Sequence, residues 1–390
     1  MRQGFFMTAK RTSLFEPFDF DNGLALRNRV VMAPMTTWSA NPDGTISDAE
    51  LDYYSRRAQG VGMVITGCTH VAENGIGFTD EFAAYDDRFI PSLRRLAEAA
   101  KSGGARGVLQ IFHAGNKGVV DAVPGGELVS ASAVNALAGP FNRGDVTPRA
   151  LSHEEVLAMV QAFGQATRRA IKAGFDGVEL HGAHGFLLQN FFSPRYNHRD
   201  DQWGGSQDKR MRFALAVVRE AKRAIAAHAH RPFLLGYRIS PEEREDGGYR
   251  VPDICALADR LIASGIDYLH VSLNDVLGSR PLGSETRLTV EQIIAHVNNR
   301  VPVLAAGMLR TPQQAQAALD LGLSLAVVGK GLVMNPDWVR LAQTDSGARI
   351  RQELDWDERA TLSVPDGLCR AVEASPGWIP MHKAEVTADG

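Results

Sequence analysis

The stretch Val301–Gly331, VPVLAAGMLRTPQQAQAALDLGLSLAVVGKG, reads as one strand–helix–strand unit. Val301–Gly307 is a short apolar run without alternation, the pattern of a strand buried on both faces. Pro312–Leu321 carries apolar residues at helical spacing, and Gly322 follows as a left-handed cap. Leu325–Gly331 is then a second such run. Working outward, six further runs repeat the pattern: Arg29–Met35, Gly62–His70, Gly107–His113, Gly177–His181, Leu234–Ser240 and Tyr268–Leu273. Helical stretches separate them at Pro91–Lys101, Ser152–Lys172, Met211–Ala227 and Asp253–Ala263; Ser152 with Glu155 forms a capping box. Eight alternations predict an α/β fold, a (β/α)8 barrel. A doubly wound sheet is disfavoured because no GxGxxG turn follows the first run.

Ahead of the first run, Asn22-Gly23 between two apolar segments predicts a two-residue hairpin turn, and the hairpin could plug the barrel bottom. Long connections at 114–151, 182–209 and 274–288 all follow strands, on the face where barrel active sites lie. The division expected is a barrel over 1–345 and a tail over 346–390, whose Trp356 and Trp378 pack on the barrel or on a neighbouring subunit. Lys plus Arg is 42 and Asp plus Glu is 45, which argues against a nucleic-acid partner. No run is long and apolar enough to span a membrane, and the start, MRQGFFMTAKR, lacks the apolar core of a secretory signal. Cys68, Cys255 and Cys369 are far apart and form no CxxC pair, so disulfides, thiolate zinc and iron–sulfur clusters are poor readings and a reducing cytoplasm is expected.

Polar residues gather at strand ends: Thr36, Cys68 to His70, Gln110 and His113, His181 and His184, and Arg238. One such residue is ordinary, but five strands ending this way imply a polar barrel mouth. Glycines at Ala306-Gly307-Met308 and Gly329-Lys330 offer backbone N–H groups and a lysine charge to a phosphate. His181 and His184 lack a third ligand at metal spacing, so no metal is expected; two donors to one substrate oxygen is the better reading.

The run His181–Phe213, HGAHGFLLQNFFSPRYNHRDDQWGGSQDKRMRF, together with NRVVMAPMT (28–36), LQIFHAG (109–115) and AAGM (305–308), resembles the Old Yellow Enzyme family of FMN-dependent NAD(P)H oxidoreductases, in its bacterial single-domain branch. The resemblance spans about Leu14 to Val339. It implies FMN as cofactor and NADH or NADPH as reductant, with hydride passing from flavin N5 to the β-carbon of an α,β-unsaturated carbonyl compound. It also implies a small-molecule substrate and a homo-oligomer. By position, Ala33, Pro34, Met35 and Thr36 lie along the flavin, Cys68 touches its edge, Gln110 reads the pyrimidine, and Arg238 faces N1 and O2. Ala306, Gly307, Met308, Gly329 and Lys330 are implied to hold the phosphate, while Trp38, His181, His184 and Phe186 line the substrate pocket.

One position departs from the pattern. Phe186 stands where many members have the tyrosine that protonates Cα, and phenylalanine has no donor. Tyr196, His113, His70 and His270 are the substitutes to weigh. The departure also keeps open an FMN enzyme with a different substrate reaction, or a flavin-binding sensor. A flavin-free phosphate-binding lyase or isomerase explains the glycines but leaves Gln110 and Arg238 without a role.

Overall fold

The computed structural model describes residues 13–139, 142–345 and 347–382. The opening segment, whose lack of a secretory signal was inferred above, lies outside them, as does the tail from 383 onward. Eight parallel strands form a closed ring: Val30–Met32, Met63–Ile65, Arg106–Phe112, Gly177–Gly182, Leu234–Ile239, Tyr268–Ser272, Val303–Ala306 and Leu325–Val328. The eighth pairs back onto the first through Ala326↔Val30. Helices separate the strands, including His153–Ala173, whose capping box (Ser152 with Glu155) forms as the sequence predicts. Gly174 closes that helix at φ 92°, a conformation that costs glycine little.

Two sequence expectations are corrected. The run Gly62–His70 is not one strand. Met63–Ile65 joins the barrel, whereas Thr69–His70 pairs with Ile111–Phe112 and Phe82–Ala83 above it. The break falls around Gly67, where a Cβ would lie 2.6 Å from the Met35 carbonyl oxygen, so only glycine lets the two chains pass this closely. The hairpin also differs from the two-residue turn expected of Asn-Gly. Phe18–Asp19 pairs with Ala25–Leu26, leaving a loop over 20–24 in which Gly23 alone takes positive φ, at 86°. The Asn22 side chain accepts from Leu24 N instead of adopting the left-handed conformation itself. Phe20, Leu24 and Leu26 still pack with Val31, Met63, Leu234 and Leu304, closing the barrel from below.

The strand register aligns the polar side chains. Glu179 lies opposite Gln110 on one side, and Arg238 lies between His181 and His270. Gly236 sits between Glu179 and Tyr268. A Cβ there would run into the Tyr268 ring, so its absence lets that ring cross the fifth strand to reach Glu179.

The segment after Asp345 is not an independent unit. Leu354, Leu362, Leu368, Val372 and Ile379 belong to the same core cluster as Val30 and Tyr53. Trp356 and Trp378 pack against this chain's own core. Arg57, fully buried, ties the segment down. Its guanidinium donates to the carbonyls of Leu362 and Ser363 at 2.9 and 3.3 Å, and also to those of Tyr53, Leu332 and Val333. Among the described residues no helix is long and apolar enough to cross a membrane.

Arg57→Ala should destabilise the protein by about 3 kcal/mol, because several buried carbonyls lose their donor at once. Denaturant unfolding checks this; a change under about 1 kcal/mol refutes the stapling role.

Candidate active site

A cavity of about 710 Å³ opens at the C-terminal mouth of the barrel. Of the residues singled out from sequence, Pro34, Met35, Thr36, Trp38, Cys68, Gln110, His181, His184, Phe186 and Arg238 all line it. Ala33, Ala306, Gly307, Met308, Gly329 and Lys330 do not, and sit beside it. A Cβ on Gly329 would lie 3.3 Å from Met35 Sδ, which places that end against the cavity's own lining. Among the described residues, three of the seven non-glycine residues with positive φ belong to this region: Trp38 at 48°, His184 at 59° and Met308 at 51°. Such strain persists only where surrounding contacts enforce it, commonly at ligand sites.

Beneath the cavity, Glu179 is fully buried and accepts three hydrogen bonds. Gln110 Nε2 donates at 2.7 Å, Tyr268 Oη at 3.1 Å and His270 Nδ1 lies at 2.9 Å. Burial alone would push the Glu179 carboxyl up; His270, Arg238 and Gln110 outweigh this and hold it below its ordinary value. Gln110 Oε1 faces the Cys68 thiol at 3.4 Å, so both ends of the amide are oriented. Burial keeps that thiol protonated, with the charge of Glu81 acting in the same sense. Arg238 Nε and His270 Nε2 are buried with no hydrogen-bond partner in the protein. Buried donors and acceptors left open in this way are costly unless a ligand meets them.

The two histidines are set in complementary ways. Ala183 N donates to His181 Nδ1 at 3.2 Å, so the neutral ring carries its proton on Nε2. Ser272 Oγ receives Arg238 Nη2 at 3.1 Å and lies 2.7 Å from His184 Nε2. When the serine donates to His184 Nε2, His184 keeps its own proton on Nδ1, facing an oxygen in the cavity. Both rings are held well below the ordinary imidazole value. Burial is the first cause for His181, followed by His184 and Arg238. His184 is open to the cavity but lies deep in the mouth, where desolvation, Arg238 and Lys117 act together. Two neutral rings 4.9 Å apart, His181 with its Nε2–H in reserve, suit an electron-rich oxygen. Among the described residues no group of three His, Cys, Asp or Glu is placed to hold a metal ion.

At the ends of the seventh and eighth strands, Lys330 faces the charge of Arg310, and burial together with that charge lowers the lysine from its ordinary value. Arg310 Nε is buried and has no partner. Paired cations beside a glycine-lined turn suit an anion. Arg310 was not singled out from sequence, although it stands two residues after Met308. Glu179 was also missed as a site residue. Its spacing of two from His181 is the signal, since it places both side chains on the inner barrel face. Lys117, whose Nζ donates to His184 O at 2.6 Å, and Ser272 carried no signal of comparable strength.

The strand-end histidines are sorted by their partners. His70 Nδ1 pairs with buried Glu81 at 3.1 Å, and this carboxylate also holds Gly77 N and Phe78 N. His113 accepts from Gly115 N at Nδ1 and pairs with Asn74 Oδ1 at Nε2. Neither lines the cavity, nor does His270. Of the four proton donors weighed from sequence, only Tyr196 does. Phe186 lies edge-on to His181 at 4.9 Å and to Phe112 at 4.8 Å.

A family model described as the NADH:flavin oxidoreductase / NADH oxidase family matches residues 13–347. A relative named probable NADH-dependent flavin oxidoreductase YqiG, from Bacillus subtilis, is 41% identical over 375 residues, covering 96% of this chain and 99% of its own. A protein named NADPH dehydrogenase, from Geobacillus thermodenitrificans, is 33% identical over 350 residues, covering 89% and 98%. The solved structure of the old yellow enzyme homologue from Zymomonas mobilis superposes with a TM-score of 0.76 at 26% identity, covering 91% of this chain and 98% of that one.

Burial, with His70 adding to it, drives His113 down to about 3 from the ordinary 6.5. The unfolded chain therefore takes up a proton as pH falls through 6.5, while the folded form resists until about 3. Stability from this group is complete above that upper value and is lost on acidification, by up to about 1.4 kcal/mol per pH unit. His113→Gln should narrow the drop in melting temperature between about pH 7 and about pH 5. An equal drop in both proteins would show that His113 does not carry the effect.

Proposed function

The chain belongs to the NADH:flavin oxidoreductase / NADH oxidase family, and we propose that FMN lies across its barrel mouth with the substrate held over it by His181 and His184. The protein is an FMN-dependent NAD(P)H oxidoreductase of Old Yellow Enzyme type acting on a small molecule. One observation carries the site reading: His181, with its Nε2–H left over, and His184 beside it both open onto the cavity that Gln110 and Arg238 floor.

The residues fit FMN. Gln110, oriented by Glu179 and Cys68, presents an amide to the pyrimidine edge, and the open Arg238 Nε lies within the same cavity floor. Arg238 supplies positive charge where reduced flavin becomes anionic. Pro34, Met35 and Thr36, which line the cavity, would flank the ring. Gly307, Met308 and Gly329 leave backbone free for the phosphate, with Lys330 and Arg310 as its counter-charges. Bound there, FMN supplies the hydride chemistry, accepting from a nicotinamide and delivering to an electrophilic alkene.

The chain's own residues bind, orient and protonate. His181 Nε2–H and His184 Nδ1–H donate to the carbonyl oxygen and stabilise the negative charge that develops on it. Both rings must stay neutral to keep a fixed donor apiece, and the depressed imidazole values secure this at neutral pH. Trp38 and Phe186 exclude water along one side. Phe186 gives no proton, so we assign protonation at Cα to Tyr196, the cavity-lining hydroxyl among the groups weighed. Burial, its largest influence, raises the Tyr196 phenol and keeps it in the donor form. Buried free cysteines support a reducing compartment, and the acidic balance of charge supports a partner set without nucleic acid. The homo-oligomer reading rests on the family's habit.

The purified protein should be yellow, bleach with NADH under anaerobic conditions and recolour with an enone. In His181→Ala and His184→Ala, the affinity for phenols over the flavin should fall about tenfold or more. Retained affinity in both variants would exclude the donor role. Tyr196→Phe should slow recolouring by about 10²-fold or more relative to bleaching. Equal rates with the wild type would hand the proton to water.

A further inference from the structure

The cavity lining divides into two chemical groups. Lys117, Arg238, Glu242, Glu243, Arg244, Glu245 and Arg280 are charged. Within the remainder lies an unbroken run of rings. From His181 the centroid separation is 4.9 Å to Phe186, then 6.0 Å from Phe186 to Phe78. It continues at 5.4 Å from Phe78 to Trp38 and 5.8 Å from Trp38 to Trp378. Every pair is edge-to-face, at 88°, 77°, 86° and 86° in that order. That geometry is favourable for aromatic pairs and fixes the ring planes. The run therefore begins at the substrate-oxygen donor and ends on a residue of the C-terminal segment.

Trp378 is held from both sides. Before it, the helix Asp366–Ala374 begins against Trp38: Gly367 N donates to Ser39 Oγ at 3.0 Å. A side chain at Gly367 would strike the Trp38 carbonyl, so the helix can approach this closely only with glycine there. After it, Ile379 is buried, Leu354 N donates to Pro380 O at 2.7 Å, and Met381 pairs with Leu354. The Arg57 bonds to the Leu362 and Ser363 carbonyls anchor the whole segment. The last ring of the run is thus a built wall.

We propose that Trp378 is a specificity-determining residue. It ends an aromatic shelf that receives the flat apolar body of the substrate, and the preferred substrates are enones bearing an aryl or extended cyclic group. This rests on the reading that His181 and His184 hold the carbonyl oxygen. With the oxygen fixed at one end of the run, a planar body lies along Phe186, Phe78 and Trp38, and only a body longer than a single ring reaches Trp378.

The test uses FMN-loaded wild type, Trp378→Ala, Trp378→Leu and Trp378→Phe. Binding of phenol and of para-phenylphenol is followed through the absorbance change of the bound flavin. In parallel, kcat/KM is compared for cyclohexenone and benzylideneacetone. Replacement by alanine should lower the para-phenylphenol to phenol affinity ratio about tenfold, and the matching ratio of specificity constants with it. Phenylalanine should restore most of both ratios. Leucine, which keeps an apolar side chain at the position, should behave like alanine and covers the case in which the alanine variant loses its tail packing. Ratios that stay within twofold of wild type, or rise, overturn the proposal while leaving the histidine reading intact. Phenol binding by wild type that is indifferent to His181→Ala overturns the histidine reading and this inference together.

Discussion

A carboxylate sealed inside a closed barrel must be answered by its neighbours, and Glu179 is answered by residues of three different strands. Gln110, Tyr268 and His270 reach it by hydrogen bonds, and Arg238 adds its field. Removing any one partner would leave charge exposed to a low dielectric, at a cost of several kcal/mol. The carboxylate therefore dictates where the Gln110 amide points and how much of the Arg238 charge remains for a ligand. The register Glu179↔Gln110 and Arg238↔His270 makes the arrangement a property of the sheet itself.

The same floor governs the donors above it. Arg238 takes one lone pair of Ser272, and a serine proton turned to His184 leaves His184 presenting Nδ1–H. His181 reaches the equivalent state by another route, through the Ala183 backbone. Burial keeps both imidazoles neutral, and Arg238 and Lys117 act in the same sense. The charge that suits a reduced flavin thus also helps to hold the substrate donors in their working form.

Much of this was legible in the sequence. Apolar runs and capped helices predict the barrel, and polar strand ends together with the family resemblance predict ten residues that the structure gathers around one cavity. What escaped was set by long-range geometry. The close passage at Gly67 depends on the Met35 carbonyl, and the Asn22-Gly23 turn is overridden by the packing of Phe20 and Leu24 under the barrel. Glu179 reads locally as a strand residue; only the pairing of neighbouring strands makes it a hub. Trp378 is 340 positions from Trp38 in the chain, and no local pattern connects them. Phe186 is the reverse case. The sequence shows the missing hydroxyl at once, and the structure then supplies what the residue does, which is to pack edge-on against His181.

Arg57 holds the C-terminal segment almost entirely by its main chain. A guanidinium that grips carbonyls is indifferent to the side chains those carbonyls belong to. Those bonds fix the path of the segment whichever residues carry the carbonyls, while Leu354, Leu368, Val372 and Ile379 seat it through their side chains. Such an attachment makes the end of the chain an interchangeable cover: one residue on it can be exchanged, and the chemistry that the mouth admits altered, without disturbing the barrel that does the work.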